Sequence, residues 1–187
     1  MGHRQITIFN GVLFDVPKHI VRIDILGSKT THGWQVRYGK PWKMFSDHTS
    51  NGSGAAEALT KAREELLHRI KTLPAPSGVR KVTTKRKTSD LPPGISGPFK
   101  RRRKGKTSAD IYLQVSLPVL GQGSLVKQVY IGNESTYSEE RLKNSVEKAQ
   151  ALRRQFIGVF EQALTEKKRA EAVALDVVGR IGKSGQL

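Results

Sequence analysis

Residues 74–93 read as a linker, and this divides the chain. The stretch holds four prolines, few large apolar residues, and the cations Arg80, Lys81, Lys85, Arg86 and Lys87. Proline interrupts both helix and sheet, and clustered like charges repel, so the stretch predicts a basic, flexible tether. A chain of 187 residues suits one medium domain or two small ones. Hydrophobic residues make up 36 %, below the globular average, so two compact lobes fit better than one large core.

Before the tether, short apolar runs occupy Ile6–Phe9, Val12–Phe14 and Ile20–Leu26. Val21, Ile23 and Ile25 alternate with Arg22 and Asp24, as in a half-buried strand. After a turn over Gly27–Gly33, Trp34, Val36 and Tyr38 form one face and Gln35 and Arg37 the other. Gly39-Lys40-Pro41 reads as a hairpin turn and Trp42–Phe45 as a third strand. A polar loop, His48–Gly54, precedes a helix whose apolar stripe is Ala55, Ala58, Leu59, Ala62, Leu66 and Ile70. Asn51 or Ser53 is its expected cap, and the pattern stops before Pro74.

The same order recurs after the tether. Ile95–Phe99 leads into Lys100–Lys106. Ile111, Leu113, Val115 and Leu117 then alternate with Tyr112, Gln114 and Ser116. Pro118–Ser124 is a turn with two glycines, and Val126–Ile131 a further strand. Thr136 or Ser138 caps a helix with Glu139 and Glu140 in its first turn. Its stripe is Leu142, Val146, Ala149, Leu152, Phe156, Phe160 and Ala163. Strand–strand–strand–helix therefore occurs twice, with Gln35-Val36 matching Gln114-Val115 and Lys43-Met44-Phe45 matching Gln128-Val129-Tyr130. Helical spacing continues through Ala170, Val173, Ala174, Val177, Val178 and Ile181. That tail either packs across the lobes or forms a homodimer contact.

The expected fold class is α+β: two modules, each a three-stranded antiparallel sheet plus a helix, joined by a basic linker and followed by a C-terminal helix. The boundaries are 1–73, 74–93, 94–165 and 166–187.

Lys and Arg number 33 against 16 Asp and Glu, giving +17, and the pI is about 10.4. Such a surplus repels itself until a polyanion neutralises it: nucleic acid, an anionic membrane surface or acidic protein. More than half of it sits between Arg80 and Lys106. The absence of cysteine excludes disulfides, thiolate zinc sites and cysteine nucleophiles. No signal peptide is expected in residues 1–16 and no apolar run approaches a membrane span, which predicts a cytoplasmic, nucleoid-associated protein.

No catalytic constellation stands out, so no enzyme activity, cofactor or metal is expected. His3, His19, His32, His48 and His68 lack acidic partners at metal-ligand spacing. Glu64-Glu65 and Glu139-Glu140 fit ordinary solvated helix faces. Gly121-Gln122-Gly123-Ser124 lacks the Lys-Ser/Thr that opens a helix after a phosphate loop, and Lys183-Ser184 follows a helix instead of preceding one.

The second repeat resembles the plant APETALA-two / ethylene-response-factor type DNA-binding domain in its bacterial and phage form. The resemblance rests on Gly94-Ile95-Ser96-Gly97, the basic run Arg101–Lys106, Ile111-Tyr112-Leu113-Gln114-Val115-Ser116, and Val129-Tyr130-Ile131-Gly132 before a helix at Ser138–Arg154. It covers 94–154. Residues 18–72 match only in element order and in Gly33-Trp34-Gln35-Val36, as a divergent copy or a related module with another role. The resemblance implies a three-stranded antiparallel sheet packed on one helix, its open face entering the major groove. Many phage versions are fused to a His-Asn-His homing nuclease, which this sequence does not show.

That implies double-stranded DNA as the partner and a sequence-specific transcription regulator of bacterial or phage type as the function. The residues expected to contact bases are Arg22, Gln35, Arg37, Lys43, Tyr112, Gln114, Ser116 and Gln128, since Gln pairs bidentately with adenine and Arg with guanine. Those expected to contact phosphates are Arg80, Lys81, Lys85, Arg86, Lys87, Lys100, Arg101, Arg102, Arg103, Lys104, Lys106 and Lys127. Trp34 is read as core. Three rivals remain: an architectural or recombination protein indifferent to sequence, an RNA-binding protein, disfavoured because aromatics are only 6 %, and a nuclease or integrase fragment, for which no catalytic Arg/His/Tyr domain follows. The first module could instead bind a protein.

Overall fold

Alternation and helical spacing both resolve into elements in a computed structural model, which describes residues 2–25, 31–82, 89–105 and 107–183, with side chains as far as Val173. Lys85, Arg86, Lys87 and Lys106 lie outside the described residues, as do the side chains of Ala174, Val177, Val178 and Ile181. The architecture is α+β, with three small antiparallel sheets and two helices among the described residues. Contacts divide the chain into Met1–Pro76 with Leu164–Leu187, and Ser77–Ala163.

The first unit opens with a hairpin of β1 (His3–Thr7) and β2 (Leu13–Pro17). A three-stranded sheet follows in the order β3 (Ile20–Ile25), β4 (Thr31–Val36), β5 (Lys43–Ser46). Helix α1 (Ala55–Thr72) buries all six residues of its expected stripe. They meet Ile20, Trp34 and Val36 from the sheet and Ile8 and Val16 from the hairpin segment. The Trp34 indole N–H donates to the Ala55 carbonyl at 2.8 Å, so the buried ring keeps its polar atom satisfied. Buried Arg69 donates to the Tyr38 and Pro41 carbonyls and to Glu65, tying the β4–β5 turn to α1. Gly54 stands at the helix start with no side-chain cap. The expected Asn51 accepts instead from the Ser53 N–H, which closes the preceding loop.

Strand β3 corrects the alternation read from the sequence. Ile20 is buried, and Arg22 pairs across the ladder with buried Trp34, which puts Arg22 on the α1 side. Val21, Ile23 and Ile25 occupy the open face, and Ile25 is 54 % exposed. The inversion has an electrostatic cause: Arg22 is held by Asp47 at 2.6 Å and by Asp24 at 2.9 Å. A satisfied ion pair is therefore buried where the pattern suggested aliphatic groups.

The second unit contains β6 (Ile95–Arg101), β7 (Asp110–Val119) and β8 (Gly123–Asn133), in that spatial order, and the first part of α2 (Glu139–Lys183). Ile111, Leu113, Val115 and Leu117 are buried with Ile95, Ile131 and Ala149, against Leu142, Val146, Leu152 and Phe156. The Ser138 hydroxyl accepts from the Arg141 N–H at 3.2 Å and caps α2. From Leu164 onward α2 belongs to the first unit: Leu164 and Ala172 pack in its core and Thr165 accepts from the Ala75 N–H at 3.0 Å. Ala170 and Val173, of the expected stripe, are exposed, so a different side of the helix is covered.

Candidate nucleic-acid interface

Register decides which side chains the second sheet presents. Ser96 pairs with Gln114 and Gln114 with Gln128, while Phe99 pairs with Tyr112 and Tyr112 with Tyr130. Directly opposed residues share a face. Leu113, Val115 and Leu117 are fully buried against the helix, so these two cross-strand rows lie on the opposite, open face. One row is polar and the other aromatic. Phe99 and Tyr112 have ring centroids 6.0 Å apart; Phe99 is 39 % and Tyr130 57 % exposed. Ser116, opposite Val126, extends the face. A register shift between Ser96 and Phe99 on β6, and another between Ile111 and Tyr112, adjust the strands at the aromatic row.

The basic run emerges from the end of β6 beside these rows. Arg101, Arg103, Asp110, Tyr112, Gln128 and Tyr130 line a depression of about 220 Å³. Arg103 donates to Asp110 at 2.9 Å. Lys100 and Arg102 lie 3.8 and 3.9 Å from Glu134, whose carboxyl is held below the usual glutamate range by the Ala109 N–H and then by these cations. Arg101 and Lys104 have no carboxylate partner among the described residues. Of the five described cations from Lys100 to Lys104, two are thus unneutralised, and the other three are shared with two carboxylates.

The other expected base contacts are not gathered here. Gln35 and Arg37 lie in the first unit, joined by a 2.7 Å bond from Arg37 Nε to Gln35 Oε1, and the Arg37 guanidinium sits 4.8 Å from the Trp42 ring centre. Arg22 is removed from any base-reading surface by its pairs with Asp47 and Asp24, and its guanidinium lies over Trp34. Lys43 points to the α1 side, bonded to Glu65 at 2.8 Å, with its ammonium over Phe45. Its neighbour Met44 is the residue that pairs with Gln35. The third-strand correspondence between the repeats is therefore one residue off: Met44, not Lys43, stands where Gln128 stands. The first sheet's open face carries Val21, Gln35 and Met44 in one row, and Ile23, Gly33 and Ser46 in the next.

Among the expected phosphate contacts, Lys127 lies on the helix side of β8 with its ammonium over Phe156. Lys81 is paired with Glu161 at 2.8 Å. Two of the histidines do acquire carboxylate partners through folding, His3 with Asp15 at 2.6 Å and His32 with Asp24 at 2.8 Å. Among the described residues no group of three or more His, Asp and Glu could hold a metal ion, and no helix is long and apolar enough to cross a membrane.

Phe99 and Tyr130 are not among the expected base contacts, although alternation sets Tyr130 on the face of Gln128. Counting outward from Gly121 at the centre of the β7–β8 turn sets Gln114 opposite Gln128 and Tyr112 opposite Tyr130, so the turn glycines held the signal. Comparison of the chain with protein-family models, curated proteins and solved structures gives no match.

Proposed function

We propose that the chain binds double-stranded DNA through the open face of β6–β8 and acts as a sequence-specific regulator of transcription of bacterial or phage type. The observation that carries this reading is the cross-strand row Ser96–Gln114–Gln128 beside the unneutralised cations Arg101 and Lys104. A three-stranded face with two glutamines in register can offer bidentate pairs to adenine, each good pair giving about 1–3 kcal/mol of discrimination. The neighbouring cations supply affinity without sequence choice. Its place of action would be the nucleoid. A protein partner suits the more aliphatic open face of the first sheet, and a homodimer contact suits the exposed Ala170–Val173 side of α2.

One observation favours a second reading. The row Phe99–Tyr112–Tyr130 resembles a stacking platform, and unpaired bases stack on exposed aromatics with about 1–3 kcal/mol per base. That would make single-stranded nucleic acid, RNA included, the target. Selection from a random duplex pool at near-physiological salt, with sequencing of the bound fraction, separates the readings. The duplex reading expects one enriched motif that disappears in Gln114→Ala/Gln128→Ala and persists in Lys43→Ala. Tight binding without enrichment would indicate an architectural protein. Preference for single strands that collapses in Tyr112→Ala/Tyr130→Ala would establish the stacking role.

A further inference from the structure

A second cationic feature lies in the same unit, away from the rows that face outward from β6–β8. Gln150, Arg153, Arg154 and Ile157 follow i, i+3, i+4, i+7 spacing and so form one stripe of α2. That stripe faces Arg80, Lys81, Pro92, Pro93 and Ile95 across a cavity of about 380 Å³. This lies within the size range of small-ligand sites. No carboxylate lines it, and Lys81 alone among its four cations has a carboxylate partner, Glu161. Arg80, Arg153 and Arg154 have none among the described residues.

Arg153 is built into position. Its guanidinium donates to the Ser116 carbonyl and reaches the Arg80 carbonyl at 3.5 Å. It passes over Gly94, whose φ of +74° and missing side chain both matter, because a Cβ there would overlap the guanidinium. Burial lowers its pKa from the ordinary arginine value, with no anion to offset that cost. The remaining walls, Pro92, Pro93, Ile95 and Ile157, are apolar, and the two prolines offer no N–H donor. Polar recognition therefore falls to side chains: the Gln150 amide, the Lys81 ammonium and above all the three guanidinium groups, which match phosphate oxygens in bidentate geometry, while the apolar walls suit a flat ring.

We propose that this cavity binds a nucleoside phosphate, with Arg80, Arg153 and Arg154 on the phosphate and the proline–isoleucine walls on the base. The ligand could come from a free nucleotide or from the phosphorylated end of a nucleic-acid strand. The proposal does not rest on duplex reading by the sheet.

The test is NMR on the isotope-labelled full chain, following arginine side-chain N–H signals and the Gln150, Arg154 and Ile157 amides. Adenosine monophosphate is expected to shift these signals saturably, and adenosine much less. Arg80→Ala/Arg154→Ala is expected to weaken binding by about tenfold or more. Arg154→Ala alone, at an exposed position, gives the same direction of loss should the double variant not fold. A short duplex with terminal phosphates that displaces the nucleotide, when its hydroxyl-ended counterpart does not, assigns the strand end as the source. Nucleotide binding that persists on the duplex-saturated protein assigns the free nucleotide. Signals unmoved by millimolar adenosine monophosphate and by both duplexes, or shifts retained in the arginine variants, overturn the proposal. Nucleotide binding in a chain that binds no duplex would sink the DNA reading and leave this site standing.

Discussion

Arg22 shows how one residue can reverse the reading of a strand. Its side chain is 7 % exposed and Asp47 is fully buried against it. A buried ion pair adds little net stability when intact, but removing one partner strands the other charge in a poor solvent. Asp47→Ala is therefore expected to destabilise the chain in urea unfolding by less than the about 3–5 kcal/mol of a fully stranded charge, because Asp24 still pairs with the Arg22 guanidinium. Asp24 adds a pH dependence. Burial pushes its carboxyl up, but hydrogen bonds from Arg22 and His32, with their charges, outweigh this and leave it below the ordinary aspartate value. A carboxyl with a lowered folded pKa stabilises fully above its unfolded value, near pH 4, and that contribution is lost as pH falls through the folded value. Unfolding measured from neutral pH down to about pH 2 should show this acid loss, reduced in Asp24→Asn. An acid limb identical in Asp24→Asn would remove Asp24 from the account.

At the scale of elements, the two sheets test what alternation can and cannot say. Inverting β3 makes Ile20 a core residue and Ile25 a surface one, although both belong to one apolar run. Ile20→Ala is expected to cost about 2–5 kcal/mol and Ile25→Thr no more than about 0.5 kcal/mol by chemical denaturation. Equal costs would refute the register. Both helix stripes were legible in the sequence because six residues repeat at helical spacing in α1 and five in α2 are core or pack against it. Strand β7 was legible because its four core residues alternate without interruption. The β1–β2 hairpin was visible only as apolar runs, since Leu13 and Val12 are exposed and blur the period. The face of β3 was not legible, because Arg22 depends on Asp47, a partner 25 residues away. Lys43 likewise depends on Glu65 in α1. The aromatic row depended on cross-strand register, which composition cannot express.

Charge is a property of the whole molecule, yet it is unevenly spent. Ser77–Ala163 carries seventeen Lys and Arg against seven Asp and Glu, and the rest of the chain sixteen against nine. Within the richer unit, carboxylates already engage Lys100, Arg102 and Arg103, so these give up less on meeting phosphate than Arg101 and Lys104 would. Binding that neutralises phosphates releases counterions, and the logarithm of affinity falls linearly with the logarithm of salt concentration. Each lost phosphate contact should reduce that slope by about one. Arg101→Ala/Lys104→Ala is therefore expected to flatten the salt dependence of duplex affinity by about two, while leaving the selected motif unchanged. Gln114→Ala should do the converse, keeping the slope and losing the motif, because a neutral side chain releases no counterion. Anisotropy titrations over a series of salt concentrations read both quantities from one protein. If the double variant kept the full slope, the phosphates would be contacted elsewhere, and the β6 edge would lose its role in affinity. If Gln114→Ala changed the slope as well, the two rows would not be separable into affinity and choice, and the sheet would be acting as one electrostatic surface.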